Sequence, residues 1–358
     1  MKIIQVIPFF GVGGAEIMCE NLVYELKKQG HEVVVVSLYT KKTHITERLE
    51  KAQLNVRYLD KKSGFDFSMF GKLKKLFKQE KPDVVHTHIY AAKYVFPIAK
   101  KLKIKAVHTI HSIATQESGK LSRLFNKYFF ARCDVVPVAL SANVQKTIID
   151  EYKLSVEKVP IVLNGIDLNR CNVKQNYQFI GKFKIVHVGS FGDVKNHKGL
   201  IEAFQIFNHK HPNTELHLIG EGKNRQDMEG LVAARKISNC VIFHGLQSNI
   251  HEFLSKMDVF TLPSLYEGIP MSIAEAMGTG MPIVATAVGG VPDMLDESSA
   301  QLVPVDVEAI AAAFEKYYLN QELRKYNGEN ALKAATRFSA ETMAKKYIKI
   351  YQGEDCGA

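Results

Sequence analysis

Apolar and polar positions along the chain follow two alternating periods. Short apolar runs at 3–7, 33–38, 84–85, 106–110, 135–140 and 161–163 read as strands buried on both faces. Between them, segments 15–29, 67–79 and 91–102 carry apolar residues at helical spacing, the first ending at Gly30. The alternation starts again with strands at 183–188, 214–218, 241–243, 259–262 and 283–285 and helices at 200–209 and 227–236. Such alternation predicts parallel sheets flanked by helices. The polar stretch 164–181 separates the two sets, and helices at 307–319, 321–336 and 340–352 close the chain. The pattern predicts an α/β protein of two Rossmann-like domains, 1–168 and 169–339, with ligand in a cleft between them. The last helix carries Met343, Tyr347 and Ile350 on one face and must bury it somewhere.

Composition bounds the function without naming it. A chain of 358 residues suits two ordinary domains. No apolar run approaches the roughly 18 residues of a membrane span, and the first eight residues read as a strand rather than a leader. Five scattered cysteines offer neither a disulfide framework nor a metal cluster and fit a reducing cytosol. The net charge of +10 calls for an anionic partner. It concentrates at 72–81, where Phe70, Leu73, Leu76 and Phe77 stand at helical spacing among lysines. That segment reads as a helix packed on a sheet, and its lysines are placed to meet an anionic membrane surface. No aromatic residues interleave with a basic groove pattern, so nucleic acid is not expected.

Candidate chemistry collects after strands, where open α/β sheets bind their ligands. Gly11, Gly13 and Gly14 follow the first strand, but Glu16 stands where a dinucleotide fingerprint needs Gly or Ala. The second strand runs into Ser37 and Leu38 rather than a ribose-binding acid, which argues against a dehydrogenase. His86, His88, His108 and His111 cluster around two strands, and His111 falls just past a carboxyl end. Core histidines satisfied by hydrogen bonds are the expected reading, ahead of a metal site. Lys195 lies between a strand and a helix, positioned to neutralise a leaving phosphate. The densest signal is 264–277, where Glu267 and Glu275 stand eight positions apart around Pro270 and a helix start. Two carboxylates beside an anion-binding helix start point to a ligand with both hydroxyls and phosphates, such as a nucleotide sugar.

Together these residues resemble the family-4 retaining glycosyltransferases of the GT-B fold, also called glycosyltransferases group 1, over nearly the whole chain. The resemblance rests on Glu267…Glu275, on Gly280–Met281–Pro282 and Gly289–Gly290 after them, and on Gly13–Gly14–Ala15–Glu16, Pro82–Asp83–Val84–Val85–His86, Asn164–Gly165–Ile166–Asp167 and Lys195. It implies two Rossmann-like domains facing across a cleft, with 340–358 crossing back to the first. Glu275 would bind the donor ribose and Glu267 the sugar hydroxyls. Ile269, Pro270, Met271 and Ser272 would meet sugar and diphosphate, with Gly13, Gly14, Gly189 and Ser190 lining the donor. Lys195 would take the leaving phosphate, His111 would contact the sugar, and Leu246 would flank the base. No metal or cofactor is implied.

Two positions depart from the family pattern. Ser190 stands where Arg is usual, so one cation expected on the leaving group is missing unless Lys198 or Arg225 supplies it; Asp293 replaces a Glu. The implied activity is metal-independent hexosyl transfer, with retention, from a nucleotide sugar to a glycan or lipid-linked hydroxyl. The setting would be capsule, lipopolysaccharide or exopolysaccharide synthesis, in the cytoplasm or at the inner face of its membrane. A sugar-nucleotide-binding subunit without catalysis, kept open by Ser190, and a GT-B epimerase are the alternatives.

Overall fold

A computed structural model describes residues 1–11, 13–117, 119–247 and 249–354, with the Gln116 side chain left out. The chain divides into two units, Met1–Gly165 with the segment from Ala340 onward, and Ile166–Ser339.

In the first unit six parallel strands form one sheet in the order β3-β2-β1-β4-β5-β6. They are β1 (Lys2–Ile7), β2 (Glu32–Ser37), β3 (Asn55–Tyr58), β4 (Val84–His88), β5 (Lys105–Ile110) and β6 (Val135–Ala139). The helices are α1 (Gly14–Lys28), α2 (His44–Lys51), α3 (Ser68–Glu80), α4 (Ala92–Leu102), α5 (Ala114–Glu117), α6 (Lys120–Arg132) and α7 (Ala142–Tyr152). Two differences from expectation stand out. The run 161–163 makes only a single bridge, Ala139 to Ile161, and the polar edge strand β3 takes a place in the sheet instead. Residues 44–51, where no element was expected, are helical, because Thr43 and Thr46 close a reciprocal capping box at the start of α2.

The second unit repeats the plan with the order β12-β11-β10-β7-β8-β9. Its strands are β7 (Phe183–Val188), β8 (Thr214–Ile219), β9 (Val241–Gly245), β10 (Val259–Leu262), β11 (Ile283–Thr286) and β12 (Gln301–Val303). Its helices are α8 (His197–Lys210), α9 (Arg225–Ala234), α10 (Ile250–Ser255), α11 (Met271–Gly278), α12 (Val291–Met294), α13 (Val307–Leu319) and α14 (Gln321–Ala335). Side-chain caps start several of them: Asn196 for α8, Asp306 for α13 and Asn320 for α14.

The last helix, α15 (Ala340–Gln352), belongs to the first unit and packs beside α1. Its stripe of Met343, Tyr347 and Ile350 is buried with Ile3, Ile7, Leu22 and Val107. The period of two along the strands explains what this helix meets. Ile4 and Val6 of β1 face the core formed with α3 and α4. Gln5, on the opposite side, donates to the Tyr351 hydroxyl at 3.1 Å. His86 sits 2.7 Å from the same hydroxyl and 2.8 Å from Thr109 Oγ1, which lies 2.6 Å from the Tyr347 hydroxyl. The polar residues of β1, β4 and β5 are therefore the buried seat of the returning helix.

Candidate active site

β7 and β10 are neighbours in the second sheet, so the loops at their carboxyl ends lie side by side although far apart in sequence. The loop after β7 ends in a turn at 193–195 and then in Asn196, whose left-handed backbone (φ 53°) and side chain start α8. Two bonds fasten it to the loop after β10. Leu265 N donates to Val194 O at 2.8 Å, and Asn196 Nδ2 donates to Pro263 O at 3.1 Å. This fastening brings Lys195 Nζ to 2.5 Å from Glu267 Oε1. Ser264 Oγ donates to the same oxygen at 2.6 Å, and Thr286 Oγ1 donates to Ser264 O at 2.6 Å, tying the loop to β11. Glu267 is only 8% exposed, so its charge is held by partners rather than by water.

Glycines set the closeness of these loops. Gly289 has φ 54°, and a side chain there would begin 1.8 Å from Glu267 O. A Cβ on Gly290 would meet Gly268 O at 2.2 Å, and Gly290 donates its N–H to Glu267 O at 3.2 Å. On the other side Gly189 donates to Ile219 O at 3.0 Å, and a Cβ on Gly220 would meet Gly189 O at 2.0 Å. No side chain but hydrogen fits at these contacts.

Behind the Glu267 loop, Pro270 is the N-cap of α11, one position before its first turn. Met271 and Ser272 open the helix with N–H groups that have no intrahelical acceptor, a seat for an anion. Glu275 lies one turn further on, 9% exposed, with no hydrogen-bond partner for its carboxylate among the described residues. Burial pushes its carboxyl up to about 7, against a smaller opposing pull from Arg170. Gly278 is the last residue of this helix. A Cβ there would lie 2.8 Å from Cys171 Sγ and 3.0 Å from Ile166 and Leu168, so the segment 166–171 packs directly on α11.

The remaining expected residues divide between the two units. Ser190 is exposed and Leu246, 58% exposed, follows Gly245 at the end of β9. Lys198 is exposed, whereas the Arg225 guanidinium is already paired with Glu221 and Glu229. In the first unit, Gly13 is the N-cap of α1 and Gly14 its first residue. The Glu16 carboxyl accepts N–H bonds from Gly11 and Gly13 and is raised by burial. A carboxylate of the chain itself thus fills the helix start that a dinucleotide phosphate would use. His111 Nε2 lies 3.1 Å from His88 Nδ1, and His88 Nε2 lies 2.9 Å from Gln5 Oε1. Burial lowers the His111 imidazole to about 4, so it is neutral at pH 7.

Three contributors had no assigned role in the sequence: Ser264, Asn196 and Arg170. Asn196 carried a signal, an Asn directly before a helix. Ser264 and Arg170 acquire their roles only through contacts made by folding.

Two family models match the chain in tandem. One, described as glycosyltransferase family 4, covers residues 12–170, and the other, glycosyl transferases group 1, covers residues 172–334. The chain is 25% identical over 366 residues to N-acetyl-alpha-D-glucosaminyl L-malate synthase of Bacillus anthracis, covering 95% of this chain and 94% of that protein. It is 28% identical over 243 residues to an Escherichia coli UDP-Gal:alpha-D-GlcNAc-diphosphoundecaprenol alpha-1,3-galactosyltransferase, covering 63% of each. Among solved structures, Anabaena HepE in complex with UDP and glucose matches with a TM-score of 0.83 and 18% identity, over 98% of this chain and 99% of that one. The chain belongs to the group 1, or family 4, glycosyltransferases, and its fold is GT-B. No helix among the described residues is long and apolar enough to cross a membrane.

Proposed function

We propose that this glycosyltransferase moves a hexosyl group, with retention and without a metal, from a nucleotide diphosphate sugar to a hydroxyl of a lipid-linked glycan. The observation that carries the reading is the Lys195–Glu267 pair at 2.5 Å, set beside the open N–H groups of α11 with Glu275 buried behind them. In this reading the bond from the anomeric carbon to the diphosphate oxygen breaks while the acceptor oxygen bonds to that carbon on the same face. The acceptor proton passes to the departing phosphate oxygen. Lys195 and the N–H groups of Met271 and Ser272 stabilise the charge that builds there, an electrostatic contribution worth several kcal/mol, on the order of 3–4. Glu267 then holds sugar hydroxyls, Glu275 the ribose, and Leu246 the base. Gly189 and Ser190 lie along the diphosphate, and Lys198, exposed and without an ion-pair partner among the described residues, can offer a charge in place of the usual Arg. For Gly13, Gly14 and His111 the support is the family pattern and their place at the carboxyl edge of the first sheet.

The names of relatives span a UDP-galactose donor with a diphospholipid acceptor and a malate derivative. The charge of +10 and the lysines of α3 favour the lipid-linked acceptor and work in surface polysaccharide synthesis at the inner face of a cytoplasmic membrane. Incubation with a panel of UDP-, GDP- and ADP-sugars tests the donor class. Nucleoside diphosphate release from one of them, abolished by Glu267→Ala, is the expected result, and NMR of the product's anomeric proton reads retention. Failure of every donor to be turned over or to raise the melting temperature would sink the reading.

A further inference from the structure

The carboxyl edge of the first sheet carries a second cluster, made by residues that follow β2, β3 and β4. Lys61 is only 5% exposed. Its ammonium donates to the Tyr39 hydroxyl at 3.1 Å, Lys62 O at 2.8 Å and Gly64 O at 2.5 Å, so its three N–H groups are used while its charge is not neutralised. Lys93, in the first turn of α4, differs. Its ammonium lies 5.6, 5.2 and 5.3 Å from the ring centroids of Phe65, Tyr90 and Tyr94, and it has no oxygen acceptor among the described residues. The carboxylate of this loop, Asp66, is spent locally on Lys62 N at 2.9 Å, Ser68 N at 2.9 Å and Ser68 Oγ at 2.7 Å. Burial and the charge of Lys61 both lower the Lys93 ammonium's basicity. Two cations that repel, one of them with free donors, are relieved by a bridging anion.

Next to these cations the surface is aromatic. Phe67 is 78% exposed and packs edge-on to Phe65 at 5.0 Å, and Phe65 and Tyr90 are exposed as well. Tyr90 is presented by Ile89, whose φ of 53° is strained for a β-branched residue. The rings hold Lys93 rather than cover it, and Lys61 is sunk in the loop. Neither is a projecting lysine of the kind that meets a flat bilayer.

We propose that Lys61, Lys93, Phe65, Phe67 and Tyr90 form the seat for the diphosphate and first isoprenoid units of a prenyl-diphosphate-linked acceptor. Lys93 donates to the diphosphate, Lys61 adds field, and the exposed rings cover the hydrocarbon. The assignment rests on the acceptor class proposed above.

The chain has no tryptophan, so Phe67→Trp places a single fluorescent reporter in the seat. Titration with farnesyl diphosphate is expected to give a saturable blue shift. In the same background Lys93→Ala weakens binding tenfold or more, Lys93→Arg retains it within about threefold, and farnesol alone does not saturate. Absence of a saturable shift overturns the proposal, as does equal affinity in Lys93→Ala. So does a shift given by phosphatidylglycerol vesicles and not by farnesyl diphosphate, which would make the patch a bilayer contact. Donor turnover by the unaltered protein is measured separately. Its failure alongside a saturable shift removes the transferase reading and leaves the seat, and the reverse pattern removes only the seat.

Discussion

Lys195 Nζ lies 2.5 Å from Glu267 Oε1, so the cation assigned to the departing diphosphate and the carboxylate assigned to the sugar are each other's partner. Their contact depends on neighbouring strands and two loop-to-loop hydrogen bonds, which makes them one unit. Lys195→Ala and Glu267→Ala are each expected to lower kcat by about 10²–10³. Residues that act together lose activity once, so the double variant should be little worse than either single one. Nucleoside diphosphate release at saturating donor measures this. Fully additive losses would show that the two act independently.

Glu275 makes the chain's stability depend on pH. Burial holds its carboxyl at about 7, against an ordinary value of 4.5. Between those values the folded chain keeps a proton that the unfolded chain has released. Stability therefore falls as pH rises through this window, by roughly 3 kcal/mol in all, and levels off above it. Glu275→Gln should remove the slope and raise the melting temperature at pH about 8. In the proposed role of Glu275 donor binding should have the opposite sign, because the ionised carboxylate would accept from two ribose hydroxyls. Affinity for UDP should increase as pH passes about 7, and calorimetric titration of both forms across that range decides it. A pH-independent affinity would separate Glu275 from the ribose.

Most strands were legible because a sheet covered on both faces needs continuous apolar runs, and 33–36 is such a run, buried throughout. β3 escaped because Asn55–Tyr58 is an edge strand with alternate residues exposed. The run 161–163 has the right composition, yet only Ile161 bridges to β6. Glu267 and Lys195 were legible as separate signals after strands, and Glu275 as a carboxylate on the helix that follows. Their geometry was not. Lys195 meets Glu267 because the strand order puts β7 beside β10, and local periodicity carries no strand order. The Gly289–Gly290 pair likewise looks like any tight turn until its contact with the Glu267 backbone is seen.

That contact predicts opposite outcomes for two glycines. A Cβ at Gly289 would meet Glu267 O at 1.8 Å from a left-handed backbone (φ 54°). Gly289→Ala should displace the Glu267 loop, lowering both the melting temperature and donor turnover, the latter by tenfold or more. Gly230 lies inside α9 with nothing within 4 Å of an added Cβ. Gly230→Ala should stabilise by about 0.5–1 kcal/mol and leave turnover unchanged. Urea unfolding and donor hydrolysis on both variants provide the check, and a harmless Gly289→Ala would mean the loop yields more easily than its packing implies.

The returning helix offers a test of what holds the first unit together. Tyr351 accepts from Gln5 and shares a 2.7 Å bond with His86, and Tyr347 bonds Thr109 at 2.6 Å, all of them buried. Tyr351→Phe keeps the ring but leaves Gln5 Nε2 and His86 Nδ1 without this partner. Orphaned buried polar groups cost about 1–3 kcal/mol, more than the net worth of the bonds themselves. Tyr347→Phe should cost less, because Thr109 keeps its bond to His86. Since His86 joins the two tyrosines through one network, the double variant should deviate from additivity. The same strand β4 carries His88, which bonds His111 at the sheet edge. Turnover therefore tells a fastening from a relay. If Tyr351→Phe lowers stability and leaves kcat within about twofold, the histidines of β4 serve the helix. If kcat falls further while the fold holds, the network also positions His111.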